Sequence, residues 1–258
     1  MQNIYKLSSA TAVLLVVSTP VFAVDLVGVD VTLGYGAVTG SEDLSTAALT
    51  GSVEIGFGSD FGLQLDLSGY SNNNSLGSSK SLSGTMHALY HVNQDITVSA
   101  FYGANSLTSG PVAFYGAEAD ITFGNITAEV YWTQFSDQDF IFANYSSRQR
   151  GAEVKVELSP KVSLGVSYDQ ENADLMMKSK FLPDAGYSTK NFAMVLHYRP
   201  TEHVSLLAKV GQSKYDGTGS ISGLSQSDVF YGLGIEYTFG KNKGTTFGTR
   251  GRLWSTNF

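Results

Sequence analysis

Apolar and polar residues alternate along most of this chain with a period of two, and the alternation recurs roughly every 20 residues. In Tyr231–Phe239, Tyr231, Leu233, Ile235, Tyr237 and Phe239 share one face, while Gly232, Gly234, Glu236 and Thr238 share the other. A helix would scatter those apolar residues around its circumference, whereas a strand lines them up. Val27, Val29, Val31, Leu33 and Tyr35 repeat the pattern against Gly28, Asp30, Thr32 and Gly34, as do Phe61, Leu63, Leu65 and Leu67 against Gly62, Gln64, Asp66 and Ser68. The segments Tyr115–Phe123 and Val162–Asp169 alternate in the same way. The pattern predicts twelve strands, at 26–36, 47–57, 61–70, 81–92, 96–104, 112–123, 126–135, 148–158, 162–170, 190–199, 204–213 and 228–239.

The connections carry a second pattern. Those after even strands are tight: Gly58-Ser59-Asp60, Asn93-Gln94-Asp95, Gly124-Asn125, Ser159-Pro160-Lys161 and Pro200-Thr201-Glu202-His203. Those after odd strands read as longer and rich in Ser, Asn, Gly and Asp, as in Ser71 to Lys80 and Asp216 to Ser227. Short turns at one end and long loops at the other are the mark of a bacterial transmembrane barrel. The competing reading, a secreted β-sandwich, has no reason to segregate its loops. Height along the strands also sorts the aromatic residues. Tyr35, Tyr102, Tyr115, Trp132, Tyr168, Phe192 and Tyr231 fall near one rim, and Phe57, Phe61, Tyr90, Phe123, Tyr198, Tyr237 and Phe239 near the other. Amphipathic rings collect at the two membrane interfaces. A sheet facing hydrocarbon must pair every backbone group, so it must close on itself. The fold expected is therefore all-β, a transmembrane antiparallel up-and-down β-barrel of about twelve strands.

Residues 1–23 read as a signal peptide: Lys6, an apolar stretch from Ala10 to Ser18, and Val21-Phe22-Ala23 as a small-residue cleavage site. The barrel then occupies 24–239, and 240–258 is a basic C-terminal tail expected in the periplasm. Export plus a barrel points to the outer membrane of a Gram-negative cell. Without Lys6 the chain carries 15 basic against 23 acidic residues, which excludes nucleic acid as a partner. There is no cysteine, and 28 glycines against five prolines suit a chain of strands and turns.

Phe114-Tyr115-Gly116-Ala117-Glu118-Ala119-Asp120 and the run Tyr231–Phe239 resemble strands of Gram-negative outer-membrane porins, particularly the alphaproteobacterial type. The resemblance implies a water-filled diffusion pore, in that family often a trimer. Two features depart from it: general porins of that family usually have sixteen strands, and the third loop here, Asn105 to Pro111, is short where theirs folds inward. The fifth loop, Glu171 to Thr189, is the longest and carries Leu175-Met176-Met177 and Phe181-Leu182-Pro183. It is expected either to fold over the mouth or to stay exposed outside the cell.

Parity assigns the inward, pore-lining positions to Asp30, Glu54, Asp66, Glu118, Asp120, Glu129, Glu153, Lys155, Glu157, Asp169, Arg199, Lys209 and Glu236. The excess of carboxylates predicts mild cation selectivity if the lumen is open; the alternative is that the charges pair across the lumen and close it. Inward Leu89, Phe101, Phe114, Tyr131, Val195, Leu207 and Phe230 are expected to reduce the bore. Arg148 and Arg150 share the lipid-facing parity and suit lipopolysaccharide phosphates.

The function expected is a porin-like channel for passive diffusion of small hydrophilic solutes and ions, without cofactor or metal. Its expected partners are outer-membrane lipid and lipopolysaccharide, small hydrophilic solutes and other copies of the chain in a homo-oligomer. A non-conducting structural or adhesion barrel is the first alternative, and a barrel enzyme the second. No phosphate loop, zinc spacing or Gly-x-Ser-x-Gly elbow appears. His91 and His203 fall at tight turns, His87 and His197 low in their strands, and Asp137 with Asp139 forms an acidic pair in the fourth loop. The tail holds Lys241, Lys243, Arg250 and Arg252 and no acid. Its sign complements the acidic lumen, so a plug is one reading. The reading favoured is a disordered periplasmic extension, and a third has Leu253 to Phe258 mimic a terminal barrel aromatic.

Overall fold

The computed structural model describes residues 24–39, 44–74, 77–107, 110–139, 143–177, 184–219, 221–241, 244–248 and 250. The signal-peptide segment, Phe181-Leu182-Pro183 and Leu253 to Phe258 lie outside them. Strands are β1 (Val24–Thr39), β2 (Leu44–Phe57), β3 (Phe61–Asn74), β4 (Gly77–Asn93), β5 (Ile96–Leu107), β6 (Gly110–Phe123), β7 (Ile126–Phe135), the two-residue β8 (Gln138–Asp139), β9 (Ala143–Ser159), β10 (Val162–Met177), β11 (Ala185–Tyr198), β12 (Val204–Gly219) and β13 (Ser225–Phe239). Each long strand pairs antiparallel with its sequence neighbour, β1 pairs with β13, and β9 pairs with both β7 and β10. Twelve long strands thus close into an up-and-down barrel, and β8 adds to the end of β9 through Gln138 and Asp139.

The outer surface explains why the sheet closes. Leu33, Leu67, Phe123 and Leu233 are 58, 72, 83 and 68% exposed, in a belt with many other large apolar residues. A water-soluble protein does not carry so continuous an apolar surface, and hydrocarbon is its natural neighbour. Register confirms the aromatic rows: Tyr102 lies opposite Tyr115, Tyr168 opposite Phe192, and Phe57, Phe61 and Tyr90 follow one another across β2, β3 and β4. Tyr115 meets Trp132 edge-on at 6.2 Å.

At the tight-turn end the strands stop within one or two residues of the positions that alternation predicts. At the opposite end they run further. Most of Ser71 to Lys80, Asp216 to Ser227 and the fifth loop is strand: β3 and β4 leave only 75–76 between them, and β10 and β11 only 178–184. The loops predicted there are corrected accordingly. A 17-residue strand such as β9 is roughly 55 Å long, well over a tilted crossing of a band about 25 Å tall. Above that band both faces meet water, so the hydrogen-bonded ladder continues after the apolar alternation has ended. In β1 a bulge between Leu26 and Gly28 puts Leu26 on the outer face, where alternation had placed Val27.

Candidate functional site, a half-filled lumen

The interior begins with the wall. Inward-facing aromatic side chains repeatedly stand opposite glycine in register: Phe101 opposite Gly116, Phe114 opposite Gly103, Tyr131 opposite Gly151 and Phe230 opposite Gly211. A Cβ on Gly103 would fall 2.7 Å from Phe114 Cε2, and one on Gly211 would fall 2.8 Å from Phe230 Cε2. The rings therefore lie flat over the neighbouring strand, using the space that the glycine leaves. They take less of the bore than side chains projecting to the axis. Phe101, Phe114 and Phe135 join Val112 in a buried apolar cluster on the β5–β7 wall.

The tail occupies the adjoining wall. The chain leaves β13 through Gly240, whose φ of +106° suits glycine, and re-enters the barrel at Gly244, whose φ is +139°. Gly244 passes so close to Gly28 that a Cβ on Gly28 would overlap the Gly244 carbonyl and approach Thr245 N to 2.9 Å. From there each backbone N–H finds a side-chain acceptor on the wall. Thr245 N donates to Asp30 Oδ2 at 2.7 Å and its hydroxyl to the same oxygen at 2.5 Å. Thr246 N donates to Glu54 Oε2 at 2.6 Å, and Phe247 N to Gln64 Oε1 at 3.2 Å. Gln64 Nε2 returns a bond to the Phe247 carbonyl at 2.8 Å. Gly248 N donates to Glu129 Oε2 at 3.5 Å.

The contact ends in a charge cluster. Arg250 Nε donates to Glu118 Oε2 at 2.8 Å, its Nη2 pairs with Glu129, and its guanidinium lies 4.4 Å from the centroid of the Tyr131 ring. Behind it, His87 Nδ1 faces Glu118 Oε1 at 2.5 Å and Nε2 faces Asp66 Oδ2 at 2.8 Å. Both ring nitrogens can donate to carboxylates only when the imidazole is doubly protonated. Glu118 therefore sits between the His87 ring and the Arg250 guanidinium. Phe247 is 1% exposed and stacks on His87, with 6° between the ring planes. The tail favoured as a disordered extension thus has an ordered stretch, Gly244–Gly248 with Arg250, seated inside the barrel.

The remaining volume lies beside the tail. A cavity of about 460 Å³ is bounded by Asp30, Glu129, Glu153, Asp169, Glu171 and Glu236, with Lys209 and Arg250 as the lysine and arginine among its described lining residues. Thr245, Phe247 and Gly248 form one side of it. Tyr131 donates to Asp169, and Lys209 Nζ lies 5.9 Å from the Phe230 ring centroid. Towards the mouth, Glu171 Oε1 accepts from Ser147 at 2.9 Å and from Tyr187 at 3.0 Å, and Tyr187 stacks on Tyr215.

The inward positions named from parity thus divide three ways. Asp30, Glu54, Glu118 and Glu129 bind the tail, with Asp66 behind them. Glu153, Asp169, Lys209 and Glu236 line the cavity. Glu157 and Arg199 pair at 3.1 Å where both are partly exposed, and Lys155 is within electrostatic reach of Asp30, Asp120 and Glu236. Sequence reading missed Gln64, Phe247 and Thr245 and did not join His87 to Asp66 and Glu118; cross-strand register reveals the wall residues, and the path of the tail reveals the other two. Arg148 and Arg150 are exposed, and Arg150 Nη2 donates to Gln170 Oε1 at 2.7 Å. Asp137 is exposed, while Asp139 pairs through its backbone with Asn144.

Three solved structures share this architecture. A NanC porin aligns over 80% of this chain and 98% of its own, with a TM-score of 0.56 and 11% identity. The COG4313 outer membrane channel from Pseudomonas putida F1 aligns over 86% of this chain and 97% of its own, with a TM-score of 0.59 and 13% identity. A KdgM porin aligns over 81% and 99%, with a TM-score of 0.51 and 13% identity. The likeness is one of fold. No family model and no curated protein matches the chain at the level of sequence.

Proposed function

We propose that this barrel is an outer-membrane channel through which small hydrophilic solutes and ions diffuse passively, with a mild preference for cations. The observation that carries the reading is the cavity of about 460 Å³ left beside the tail, in which carboxylates outnumber lysine and arginine among the described lining residues. In a narrow, low-dielectric passage such an excess raises the local concentration of cations and repels anions. The apolar outer belt supports a membrane location, and three structures of the same fold are described as porins or an outer membrane channel.

Three of the histidines, His87, His91 and His203, do not favour an enzyme, while His197 lines the cavity. His87 is fully buried between two carboxylates, and His91 bonds to Thr97 at 2.9 Å. His203 contacts the Thr238 carbonyl at 3.0 Å. Hydrolytic chemistry needs a base that can reach a nucleophile and a substrate, and His87 is closed off from both. Arg148 and Arg150, exposed on the outer face, suit lipopolysaccharide phosphates. Liposome swelling with neutral, cationic and anionic solutes of matched size tests the channel reading. Faster swelling with cationic solutes is the expected result, and no swelling above protein-free vesicles would refute passage.

A further inference from the structure

We infer that the C-terminal tail is a built-in plug: it docks in a preformed groove on the β1–β7 wall and holds the channel at reduced conductance until it is displaced. This rests on the channel reading above. The groove fits an extended peptide rather than ions alone. Asp30, Glu54 and Gln64 each receive one consecutive backbone N–H of residues 245–247, at 2.6–3.2 Å. Gln64 also reads the carbonyl of the last of these residues, so one strand contributes both a donor and an acceptor. The three acceptors come from adjacent strands, so the tail crosses β1, β2 and β3 rather than extending the sheet.

Two further features belong to the groove itself. Gly28 leaves the gap through which Gly244 passes, and any larger residue there would close it. Glu118 and Glu129 converge on Arg250 as a latch, with His87 fixing Glu118 from the other side. The contacts are polar and charge-assisted, over a short segment with one buried aromatic residue. Each such bond contributes a modest net amount once exchange with water is counted, which suits a seat that can be left as well as occupied. The tail enters from the tight-turn end, so a displacing ligand from that side meets Gly240 first.

The test compares, in planar bilayers, the refolded full-length chain, the variant Gly28→Val and a chain ended at Gly240. Gly28→Val keeps every residue of the tail and blocks only its path, so it remains informative if the shortened chain folds poorly. Both variants should conduct at least about twofold more than the parent, because the tail occupies lumen against the wall that β1 and β7 bound. A synthetic peptide of residues 240–258, added to the shortened chain on the tight-turn side, should return the steps to the parental size, and added on the other side should not. Equal conductance in all three proteins would overturn the plug and leave the channel standing. Silence in all three, from protein shown to be folded, would overturn the channel itself and the plug with it. The full-length double variant Asp30→Cys with Thr245→Cys gives a readout independent of current. The chain has no cysteine of its own, so a disulfide that forms on mild oxidation reports the seated tail even though the Asp30 contact is lost.

Discussion

Glu118 Oε2 accepts from Arg250 Nε at 2.8 Å across 132 residues of sequence, while its other oxygen meets His87 Nδ1 at 2.5 Å. One carboxylate on β6 therefore bridges the guanidinium of the tail and the imidazole of β4. Glu129 and Asp66 are the other carboxylates that Arg250 and His87 meet. Glu118→Gln would leave His87 and Arg250 short of one negative charge. We expect a loss of about 3 kcal/mol in unfolding free energy, the usual scale for breaking a buried ion pair. Urea titration of the refolded protein in lipid vesicles measures it, and a change below about 1 kcal/mol would show that the cluster is not tightly coupled.

The glycine–aromatic pairs make a geometric prediction. A Cβ on Gly116 would lie 2.9 Å from Phe101 Cε2 and closer still to other atoms, whereas one on Gly62 would lie at an ordinary 3.4 Å from Leu89 Cβ. Gly116→Ala should therefore cost about 1–3 kcal/mol through overpacking. Gly62→Ala should cost visibly less. The order of the two denaturation midpoints is the check, and a reversed order would contradict the packing.

Selectivity should follow the open side of the lumen. Glu153, Asp169 and Glu236 line the cavity on strands β9, β10 and β13. Replacing all three by their amides should move the reversal potential in a salt gradient towards zero, because less negative potential remains to favour cations. A potential that stays at the parental value would place the selective charges elsewhere.

The outer belt distinguishes its two faces sharply. Leu67 is 72% exposed on the outer face of β3, and its neighbour Ser68 is 4% exposed on the inner face. Leu67→Arg should reduce stability in vesicles by about 2–4 kcal/mol, the cost of an arginine near the bilayer midplane. A change within about 0.5 kcal/mol would place Leu67 outside the hydrocarbon.

Much of this fold was legible in the sequence because lipid imposes a strict period of two. Where Phe61 and Tyr90, or Phe123 and Ile126, stand at the tight-turn end, the apolar face ends abruptly and the predicted strand ends coincide with the observed ones. At the other end, Asn72, Ser79 and Thr218 pair in the ladder although nothing in their hydropathy distinguishes strand from loop. The bulge at Val27 is invisible to a periodicity argument, since it is a one-residue slip. The tail was hardest to read. Thr245-Thr246-Phe247-Gly248 has no period, and only its sign against the acidic lumen pointed inward. The row formed by Glu54, Gln64 and His87 on three successive strands needs the cross-strand register before it can be seen. The facing of Phe101 to Gly116 needs it too.

The central claim is that the barrel conducts through an acidic passage beside its own tail. Single-channel recording of the refolded full-length protein in a planar bilayer under a salt gradient tests it most directly. Defined steps with a reversal potential on the cation-favouring side are the expected result. Folded, inserted protein that passes no current, or steps that favour anions, would contradict it.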